Sequence, residues 1–443
     1  MATQLLRYSD AAELLQRYIG RIQPQASSQS LPLNETSGRI LAQPIHADRD
    51  QPPFPRSTRD GFACRALDAN THQFLRLAGQ IHAGEDPSAI GSGEVGSGEV
   101  WEIMTGAPVP AGADAVFMVE HAEYAASLNP SPSPSQDSAG LESGQAHTAI
   151  YDPTTRFVRL PTARTASAGD NIVPAGSEAR AGDLIVPTGT RLGAAHIAIA
   201  AQCGYAQLAV YARPRVAILT TGDELVPVEA TPSPNQIRNS NAPMLAALVA
   251  AAGGEPIILP TVPDAEEPLN AALRQALDAD LLLISGGISA GRFDLVEGAL
   301  ARAGASFHFR GVAIQPGKPV AFGQIPRENA PELPVFALPG NPLSSAVTFQ
   351  LFAAPVVAAL GGNSAREARF AQAQLTAPWR GKPGPIRFLP AHCDFTLTPR
   401  VTLIPWQGSG DLAAFARSNC FAVMPGDGEE TPAGTPIPIL LID

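Results

Sequence analysis

The feature that most constrains the fold is a series of four short loops rich in glycine or proline, each following an apolar run. They are residues 221–224 (Thr-Gly-Asp-Glu), 285–289 (Ser-Gly-Gly-Ile-Ser), 316–319 (Pro-Gly-Lys-Pro) and 338–345 (Leu-Pro-Gly-Asn-Pro-Leu-Ser-Ser). In open α/β sheets, ligands bind beyond the carboxyl ends of the strands, where such loops gather. Glycine lets the backbone approach a ligand closely, and helix N-termini attract anions. The pattern therefore predicts one shared pocket for a phosphorylated or oxyanionic ligand.

The surrounding sequence predicts three regions. Residues 191–365 alternate strand and helix patterns, which predicts a mostly parallel, three-layer α/β/α domain. Residues 1–190 combine a helix at residues 10–19, capped by Asp10, with closely spaced strands in two subdomains. Residues 370–443 are Pro-rich and alternating, which predicts a small β domain. We expect a multidomain α/β plus β protein.

Two stretches of the N-terminal region carry narrower predictions. Residues 128–148 are rich in Ser and Pro and poor in apolar residues, which indicates an exposed, mobile insertion. The strands on either side of it, near residues 116–119 and 157–160, are expected to form a hairpin.

Composition and charge exclude several functions. The 443-residue chain has a net charge of -11, which argues against nonspecific binding to nucleic acid or anionic membranes. No apolar run approaches the ~18 residues of a membrane span. The four cysteines are far apart and form no CxxC pair, which favours reduced thiols and a cytoplasmic location. Anion recognition must then depend on local dipoles and a few cationic side chains.

Several residues in the loops have side chains suited to such a ligand. Lys318 is held between two prolines and a glycine, and offers a point charge to an anion. Asn341 can cap a helix that starts at Pro342, leaving free N–H groups near Ser344. Each residue also has a structural interpretation, as a surface lysine or as a helix cap without a ligand.

Acidic residues near strand ends and turns form a second set of candidates. Asp223, Glu224, Asp264 and Asp294 are placed to hold Mg²⁺ through oxygen, although Asp264 is equally a helix-cap candidate. Asp60 precedes Gly61, and that pair alone would indicate a type I′ hairpin turn.

Taken together, the motifs resemble the molybdopterin molybdenumtransferase family, which includes bacterial MoeA and the C-terminal domain of gephyrin. Their order and spacing hold over nearly the whole chain. The matching pieces are residues 52–54 (Pro-Pro-Phe), 60–63 (Asp-Gly-Phe-Ala), 104–116, 221–225, 237–241 (Ile-Arg-Asn-Ser-Asn), 285–287, 316–319, 338–342, 407–410 and 418–419.

The resemblance implies a three-layer molybdopterin-binding domain within an elongated homodimer of four-subdomain chains. It implies insertion of molybdate into adenylylated molybdopterin with Mg²⁺ and release of AMP. The cleft would lie between the α/β domain of one subunit and the N-terminal β region of the other. The upstream partner would be a molybdopterin adenylyltransferase, and neither nucleic acid nor membrane would be bound.

By motif position, the resemblance also implies three groups of site residues. The catalytic group is Asp60, Thr105, Asp223, Asp294 and Lys318. The metal ligands are Asp223, Asn239, Asp264 and Asp294. The residues that bind the adenylylated pterin or the oxyanion are Gly222, Asn239, Ser240, Gly286, Gly287, Pro319, Gly340, Asn341, Ser344 and Ser409.

This chain departs from the family pattern mainly by losing cations. Gln315 stands where the family usually has a lysine before Pro-Gly-Lys-Pro. A lysine that usually follows the Gly-Gly loop is replaced near Glu297. In the C-terminal domain the usual arginine has no clear counterpart, because Arg387 is shifted.

Two other functions compete with the transferase. One is a degenerate paralogue or scaffold that binds molybdopterin or molybdate without turnover, which the lost cations favour. The other is a nucleotide-processing enzyme of the competence-damage-inducible type, sharing only the α/β domain. The long N-terminal and C-terminal β regions argue against that third possibility.

Overall fold

The fold is taken from a computed structural model that describes residues 5–23, 27–126, 156–287 and 293–442, with the backbone alone at residues 293 and 294. The insertion predicted at residues 128–148 lies outside these residues. Contacts divide the chain into two compact units. Unit 1 comprises Met1–Gln43, Pro187–Ala201 and Tyr205–Asp443, and unit 2 comprises Pro44–Val186 and Gln202–Gly204.

The helices of the described residues have the following bounds. They are α1 (Tyr8–Ile19), α2 (Ala66–Ala69), α3 (Ala194–Gln202), α4 (Asn241–Ala251), α5 (Glu266–Ala276), α6 (Phe293–Arg302), α7 (Pro342–Thr348), α8 (Ala354–Leu360) and α9 (Leu412–Ala416). A π-helical segment, Phe349–Ala353, joins α7 to α8. Short 3-10 turns occur at Leu33–Glu35, Pro87–Ala89 and Val119–His121.

The strands are short and belong to several sheets. They are β1 (Ser28–Pro32), β2 (Ile45–His46), β3 (Arg56–Ser57), β4 (Gly61–Cys64), β5 (Leu75–Ile81), β6 (Glu99–Ile103), β7 (Ala115–Met118), β8 (Glu123–Ala125), β9 (Phe157–Arg159), β10 (Ile172–Val173), β11 (Leu184–Val186), β12 (Gln207–Tyr211), β13 (Arg215–Thr220), β14 (Leu225–Val226), β15 (Ile237–Arg238), β16 (Glu255–Ile258), β17 (Leu281–Ser285), β18 (Ser306–Arg310), β19 (Ile314–Gln315), β20 (Ala321–Ile325), β21 (Leu333–Leu338), β22 (Phe370–Leu375), β23 (Trp379–Arg380), β24 (Ile386–Cys393), β25 (Arg400–Leu403), β26 (Cys420–Met424), β27 (Glu430–Thr431) and β28 (Pro436–Leu441).

The central sheet of unit 1 has the strand order β16-β13-β17-β21-β20-β18. The first four strands are parallel, as the alternation of strand and helix predicts. The last two, β20 and β18, add antiparallel pairings. The carboxyl ends of β13, β17 and β21 therefore meet at one edge of the sheet, which places the loops that follow them side by side.

Helices cover both faces of this sheet, because its inner strands are apolar on both sides. Val216 and Leu281 pack with α4, α7, α8 and α1 on one face. Ala217 and Leu282 pack with α5 and α6 on the other. Successive strand residues point to opposite faces, so uninterrupted apolar strands require two helical layers. The predicted three-layer α/β/α domain is confirmed.

The C-terminal β region forms a second sheet in unit 1, with the order β19-β24-β25-β22-β28-β26. An additional pairing of β24 with β26 closes five of these strands into a ring. The strand β19, which directly precedes the Pro-Gly-Lys-Pro loop, pairs in parallel with β24. The C-terminal region is thus a β structure, as predicted.

Unit 2 is β-rich around a sheet with the order β7-β4-β6-β5-β9-β8. The predicted hairpin between the strands at residues 116–119 and 157–160 is wrong. Strand β9 pairs with β8 and β5, whereas β7 pairs with β4. The apolar pattern located both strands, but a pattern on one strand carries no information about which neighbour it selects.

The first helix differs from the sequence prediction at its start. It begins at Tyr8, so Asp10 lies in its first turn and does not cap it.

A long apolar helix also differs from the prediction that no apolar run approaches the length of a membrane span. Among the described residues, Pro342–Leu360 is the one helical segment that is long enough and apolar enough to cross a membrane. Within its most apolar window, 83% of the helix is buried inside the protein, as expected for a core helix.

The aromatic core of the central domain gives a first prediction. Phe322 and Phe336 are fully buried and stack with ring centroids 4.5 Å apart. Phe322→Ala should lower the free energy of unfolding by about 3–5 kcal/mol, because it removes this contact and leaves a cavity. Chemical denaturation measures the loss. The control Phe370→Ala, at a 42% exposed position, should change it by less than about 1 kcal/mol.

A buried carboxyl in unit 2 gives a second prediction. Glu102 is 2% exposed and its Oε1 has no hydrogen-bond partner among the described residues. Burial raises the pKa of Glu102 above its ordinary value of 4.5, with His82 opposing the shift. A raised folded-state pKa means that stability falls as the pH rises above this ordinary value.

Glu102→Gln should therefore stabilise the protein at pH 8 and have a smaller effect at pH 4. Thermal unfolding of both proteins across that range measures the difference. The exposed Glu94→Gln is the matched control and should show no such pH dependence. An equal effect of Glu102→Gln at both pH values would contradict the prediction.

Candidate functional site

A cavity of about 740 Å³ lies at the carboxyl edge of the central sheet in unit 1. Three of the four predicted loops line it, namely those that follow β13, β17 and β21. The lining residues are Thr220, Thr221, Gly222, Glu224, Leu225, Ile237, Arg238, Asn239, Ser240, Asn241, Asp264, Ser285, Gly286, Gly287, Gly340, Asn341, Pro342, Gly410 and Leu412. The prediction of one shared pocket thus holds for three loops and fails for the loop that carries Lys318.

The glycines bring the three loops into direct contact. A Cβ atom at Gly286 would lie 2.1 Å from the Thr221 carbonyl oxygen, and φ at Gly286 is +105°. A Cβ at Gly340 would lie 3.5 Å from the Gly286 Cα. Any side chain at Gly286 would force the first two loops apart. The glycine pattern in the sequence therefore reflects loop packing as well as ligand access.

Two of the predicted acidic residues are hydrogen-bonded to each other at this cavity, and Asp264 is the one that lines it. The Asp264 backbone N–H donates to Asp223 Oδ1 at 3.0 Å, and the Thr221 hydroxyl donates to Asp264 Oδ1 at 2.7 Å. Asp264 does not cap α5, whose N-cap residue is Ala265. Carboxylate and hydroxyl oxygens are the ligands that Mg²⁺ prefers. The described residues contain no group of three acidic, His or Cys side chains that would hold a metal by themselves.

The side-chain amide of Asn239 is hydrogen-bonded through both its nitrogen and its oxygen. Its Nδ2 donates to the hydroxyls of Thr220 and Thr261 at 2.8 and 2.9 Å. Its Oδ1 accepts from the Ala242 N–H at the start of α4, at 3.1 Å. Asn239 is 7% exposed. The structure thus gives Asn239 the role of holding α4 against the cavity.

A second asparagine network joins the Pro-Gly-Asn-Pro loop to its neighbours. Asn341 stands at the N-cap position of α7 but makes no side-chain cap, and its Nδ2 donates to Ser409 Oγ at 2.9 Å. Asn241, which was not predicted, donates from Nδ2 to Ser285 Oγ and to the Gly340 carbonyl. Its position within the motif at residues 237–241 is the sequence feature that could have identified it as a site residue.

The carboxylate of Asp411 stabilises the loop that contains Ser409. The Asp411 side chain accepts the N–H groups of Ala414 and Gln407 at 2.9 and 3.0 Å. These hydrogen bonds lower the pKa of Asp411. The Ser409 carbonyl accepts the Leu343 N–H at 3.0 Å, so this loop sits on the start of α7.

Lys318 and Pro319 are exposed and lie outside the cavity lining. Their loop packs on α7, because a Cβ at Gly317 would lie 2.6 Å from Thr348 Cγ2. Since the loop directly precedes β20, which is antiparallel to β21, it lies at the same sheet edge as the cavity. Lys318 is one of only two lysines in the chain, with Lys382.

The remaining predicted residues are placed as follows. Ser240 lines the cavity immediately before α4. Ser344 is 5% exposed in the first turn of α7, and its carbonyl accepts the Thr348 hydroxyl. The Asp294 side chain lies outside the described part of the chain, so its predicted metal role stays a prediction.

Asp60 and Thr105 belong to unit 2, where they bind each other. Asp60 Oδ1 accepts both the backbone N–H and the hydroxyl of Thr105, at 2.6 and 2.9 Å. The pair forms where β4 begins and β6 ends. Gly61 is a strand residue and not part of a type I′ turn, which would require a positive φ that Gly61 does not have.

Comparison with protein families covers nearly the whole chain. Residues 6–204 match the MoeA N-terminal region (domain I and II). Residues 217–359 match a probable molybdopterin binding domain, and residues 372–442 match the MoeA C-terminal region (domain IV). The cavity described above therefore lies mainly in the part that matches a molybdopterin binding domain.

Named relatives and solved structures agree with this result. The chain is 31% identical to molybdopterin molybdenumtransferase of Bacillus subtilis over 96% of this chain and 92% of that protein. It is 34% identical to the Nostoc protein of the same name over 80% and 74%. A crystal structure of a molybdopterin biosynthesis MoeA protein from Pyrococcus horikoshii superimposes with a TM-score of 0.75 at 25% identity, covering 99% and 100% of the chains. The chain belongs to the MoeA family of molybdopterin molybdenumtransferases.

Proposed function

We propose that this protein inserts molybdate into adenylylated molybdopterin and releases AMP, with Mg²⁺ as the metal. The observation that carries the proposal is the cavity at the sheet edge, where three glycine loops meet beside two carboxylates. A role in molybdenum cofactor biosynthesis follows from family membership. The relatives match all three regions of the chain, and none of the comparisons supports a scaffold without turnover.

In this proposal, the glycine loops bind the adenylylated pterin. Gly222, Gly286, Gly287 and Gly340 line the cavity, and their lack of a Cβ lets the loops pack closely enough to form it. The amide and hydroxyl groups of Asn241 and Ser285 fix the loops in place through bonds of 2.7 to 2.9 Å. A cavity of about 740 Å³ is within the range of small-molecule sites.

Mg²⁺ fits the oxygen-rich side of this cavity. Asp223 and Asp264 would hold it, together with Asp294 from the sequence prediction, and water would complete its coordination. When bound, the ion would neutralise phosphate charge as AMP leaves. Asn239 does not belong to this set in our proposal, because both ends of its amide are engaged.

In this proposal, Lys318 binds the molybdate oxyanion together with Ser344 and Ser409. The net charge of -11 makes a localised cation necessary for attracting molybdate.

The proposal also includes Asp60 and Thr105 as catalytic residues, a homodimer, an upstream molybdopterin adenylyltransferase and a cytoplasmic location. A solution mass near that of one 46.1 kDa chain would contradict the homodimer.

The two lysines allow a matched test of the activity. Purified protein is incubated with adenylylated molybdopterin, Mg²⁺ and molybdate, and AMP release is measured. Lys318→Ala should lower the molybdate-dependent rate by about 10²-fold or more, since it removes a charge placed for the transition state. Lys382→Ala, in a second Gly-Lys-Pro sequence, should leave the rate unchanged. A wild-type protein without molybdate-dependent AMP release would refute the proposed function.

The metal assignment has a separate test. Asp223→Asn and Asp264→Asn should each raise the Mg²⁺ concentration required for the half-maximal rate by about tenfold or more, because each removes a charged oxygen ligand. Titration of Mg²⁺ in the AMP assay measures this shift. Asp278→Asn, before β17 at the opposite end of the sheet, serves as the control. An unchanged Mg²⁺ requirement in both variants would remove these residues from the metal site.

A further inference from the structure

A second cavity of unit 1, of about 880 Å³, lies at the end of the central sheet opposite the candidate site. Asp280 and Glu332 line it and directly precede β17 and β21, whose carboxyl ends lead to the first cavity. The two cavities share no lining residue. Ligands of open α/β sheets bind beyond the carboxyl ends of the strands, so the loop pattern of the sequence does not indicate this second cavity. Its volume is in the range of small-molecule sites.

Helix α1 provides one wall of the second cavity. Leu14, Tyr18 and Arg21 line it, and their spacing places them along one face of the helix. Arg21 lies just beyond the last turn, where its backbone N–H donates to the Tyr18 carbonyl at 2.9 Å. This wall therefore changes from apolar through aromatic to cationic over about two turns.

A bulge in the edge strand β18 turns His308 toward the same wall. The register of β18 against β20 shifts between Phe307 and Phe309, which leaves His308 as the extra residue. Phe307 packs on the face of α5 and α6 and Phe309 on the face of α1, although residues two apart normally share a face. The His308 ring lies 5.6 Å from the Tyr18 ring, and its Nε2 donates to Gln324 Oε1 at 2.7 Å. Tyr18 and His308 thus form a fixed aromatic wall.

Backbone carbonyls fix the guanidinium of Arg327, which also lines the second cavity. Its Nε donates to the Pro331 carbonyl at 2.6 Å. Its Nη1 donates to the carbonyls of Leu277 and Ala279 at 3.0 and 2.7 Å. Hydrogen bonds within the described part of the chain leave the other terminal nitrogen, Nη2, unused. A guanidinium has five N–H donors, so Arg327 keeps donors for an anion.

The charges that line the second cavity are not all paired. They belong to Arg17, Arg21, Arg327, Asp280 and Glu332. Arg17 forms an ion pair with Glu13 at 2.7 Å, and Asp280 accepts the Arg215 N–H at 2.7 Å. The other three, two cations and one carboxylate, form no ion pair with any described residue. An excess of one positive charge therefore remains in the lining of a protein whose net charge is -11.

Electrostatics place Arg327, Glu332 and Tyr18 in one part of this cavity. Burial raises the pKa of Tyr18 to about 12, while Glu332 adds to the rise and Arg327 opposes it. The hydroxyl is therefore protonated at neutral pH. It makes no hydrogen bond to the residues that the structure describes, so it remains a donor for a ligand.

We propose that the second cavity binds a flat aromatic anion that carries one negative charge. Arg21 and Arg327 bind the anionic group, and the Tyr18 hydroxyl donates to it. The rings of Tyr18 and His308, with Leu14, contact the aromatic body. The positive lining beside an aromatic and apolar wall carries this inference, which does not depend on the proposed function.

Anilinonaphthalene sulfonate tests the site, because it is a flat aromatic monoanion whose fluorescence rises when it leaves water. Titration of the folded, full-length protein should show saturable binding. Arg21→Ala should weaken that binding about tenfold, since it removes a charge-assisted contact. Arg274→Ala, at an exposed position of α5 on the opposite face of the sheet, is the matched control and should bind as the wild type does.

A neutral probe separates charge recognition from apolar adsorption. Phenylnaphthylamine lacks the sulfonate, so wild type and Arg21→Ala should bind it equally. Glu332→Gln should tighten binding of the sulfonate, because it removes a negative charge from the lining. Thermal unfolding of each variant checks that the fold is retained.

Three results would overturn the inference. One is wild-type affinity of Arg21→Ala for the sulfonate, and another is an equal loss of affinity for the neutral probe. The third concerns Arg238, which lines the first cavity. Loss of binding in Arg238→Ala, with wild-type binding in Arg21→Ala, would place the probe in the first cavity. AMP release by the wild type tests the proposed function independently of these results.

Discussion

The close approach of three backbone loops at one sheet edge is the constraint on which the candidate site depends. Gly286 has no room for a side chain against the Thr221 carbonyl, and Gly340 lies directly against Gly286. The asparagine and serine bonds around Gly340 then hold this packing in place. Because the loops follow parallel strands buried on both faces, they are anchored in a rigid core. The shape of the cavity is therefore a consequence of backbone packing more than of any single catalytic side chain.

The charged side chains at that edge belong to different loops. Asp264 lines the cavity and accepts the Thr221 hydroxyl, and its backbone N–H donates to Asp223. Arg238 also lines the cavity, whereas Lys318 lies in the loop before β20, outside the lining. An acidic protein attracts an oxyanion where positive charge is concentrated locally. In our proposal, Asp223 and Asp264 hold the metal, and Lys318 binds the molybdate.

Much of the fold was predictable because local sequence and tertiary environment agree in the central domain. The strand at residues 281–285 and the helix starting at Pro342 were located correctly, since an apolar run or a proline marks each of them. The hairpin predicted in unit 2 was wrong, because strand pairing depends on partners that lie far apart in sequence. The caps predicted for Asp10 and Asp264 were also wrong. Both side chains had the right chemistry for a cap, but the helices begin at other residues.

The sequence by itself determined which loops carry the chemistry and which family the chain resembles, because glycine, proline and lysine at fixed spacings restrict the backbone locally. Only the tertiary structure decided how those residues are used. It engaged both ends of the Asn239 amide, turned Asn341 toward Ser409 and left Lys318 outside the cavity lining. The physical reason is that hydrogen bonds and charge pairs form between residues that folding brings together, and spacing along the chain does not reveal which residues those are.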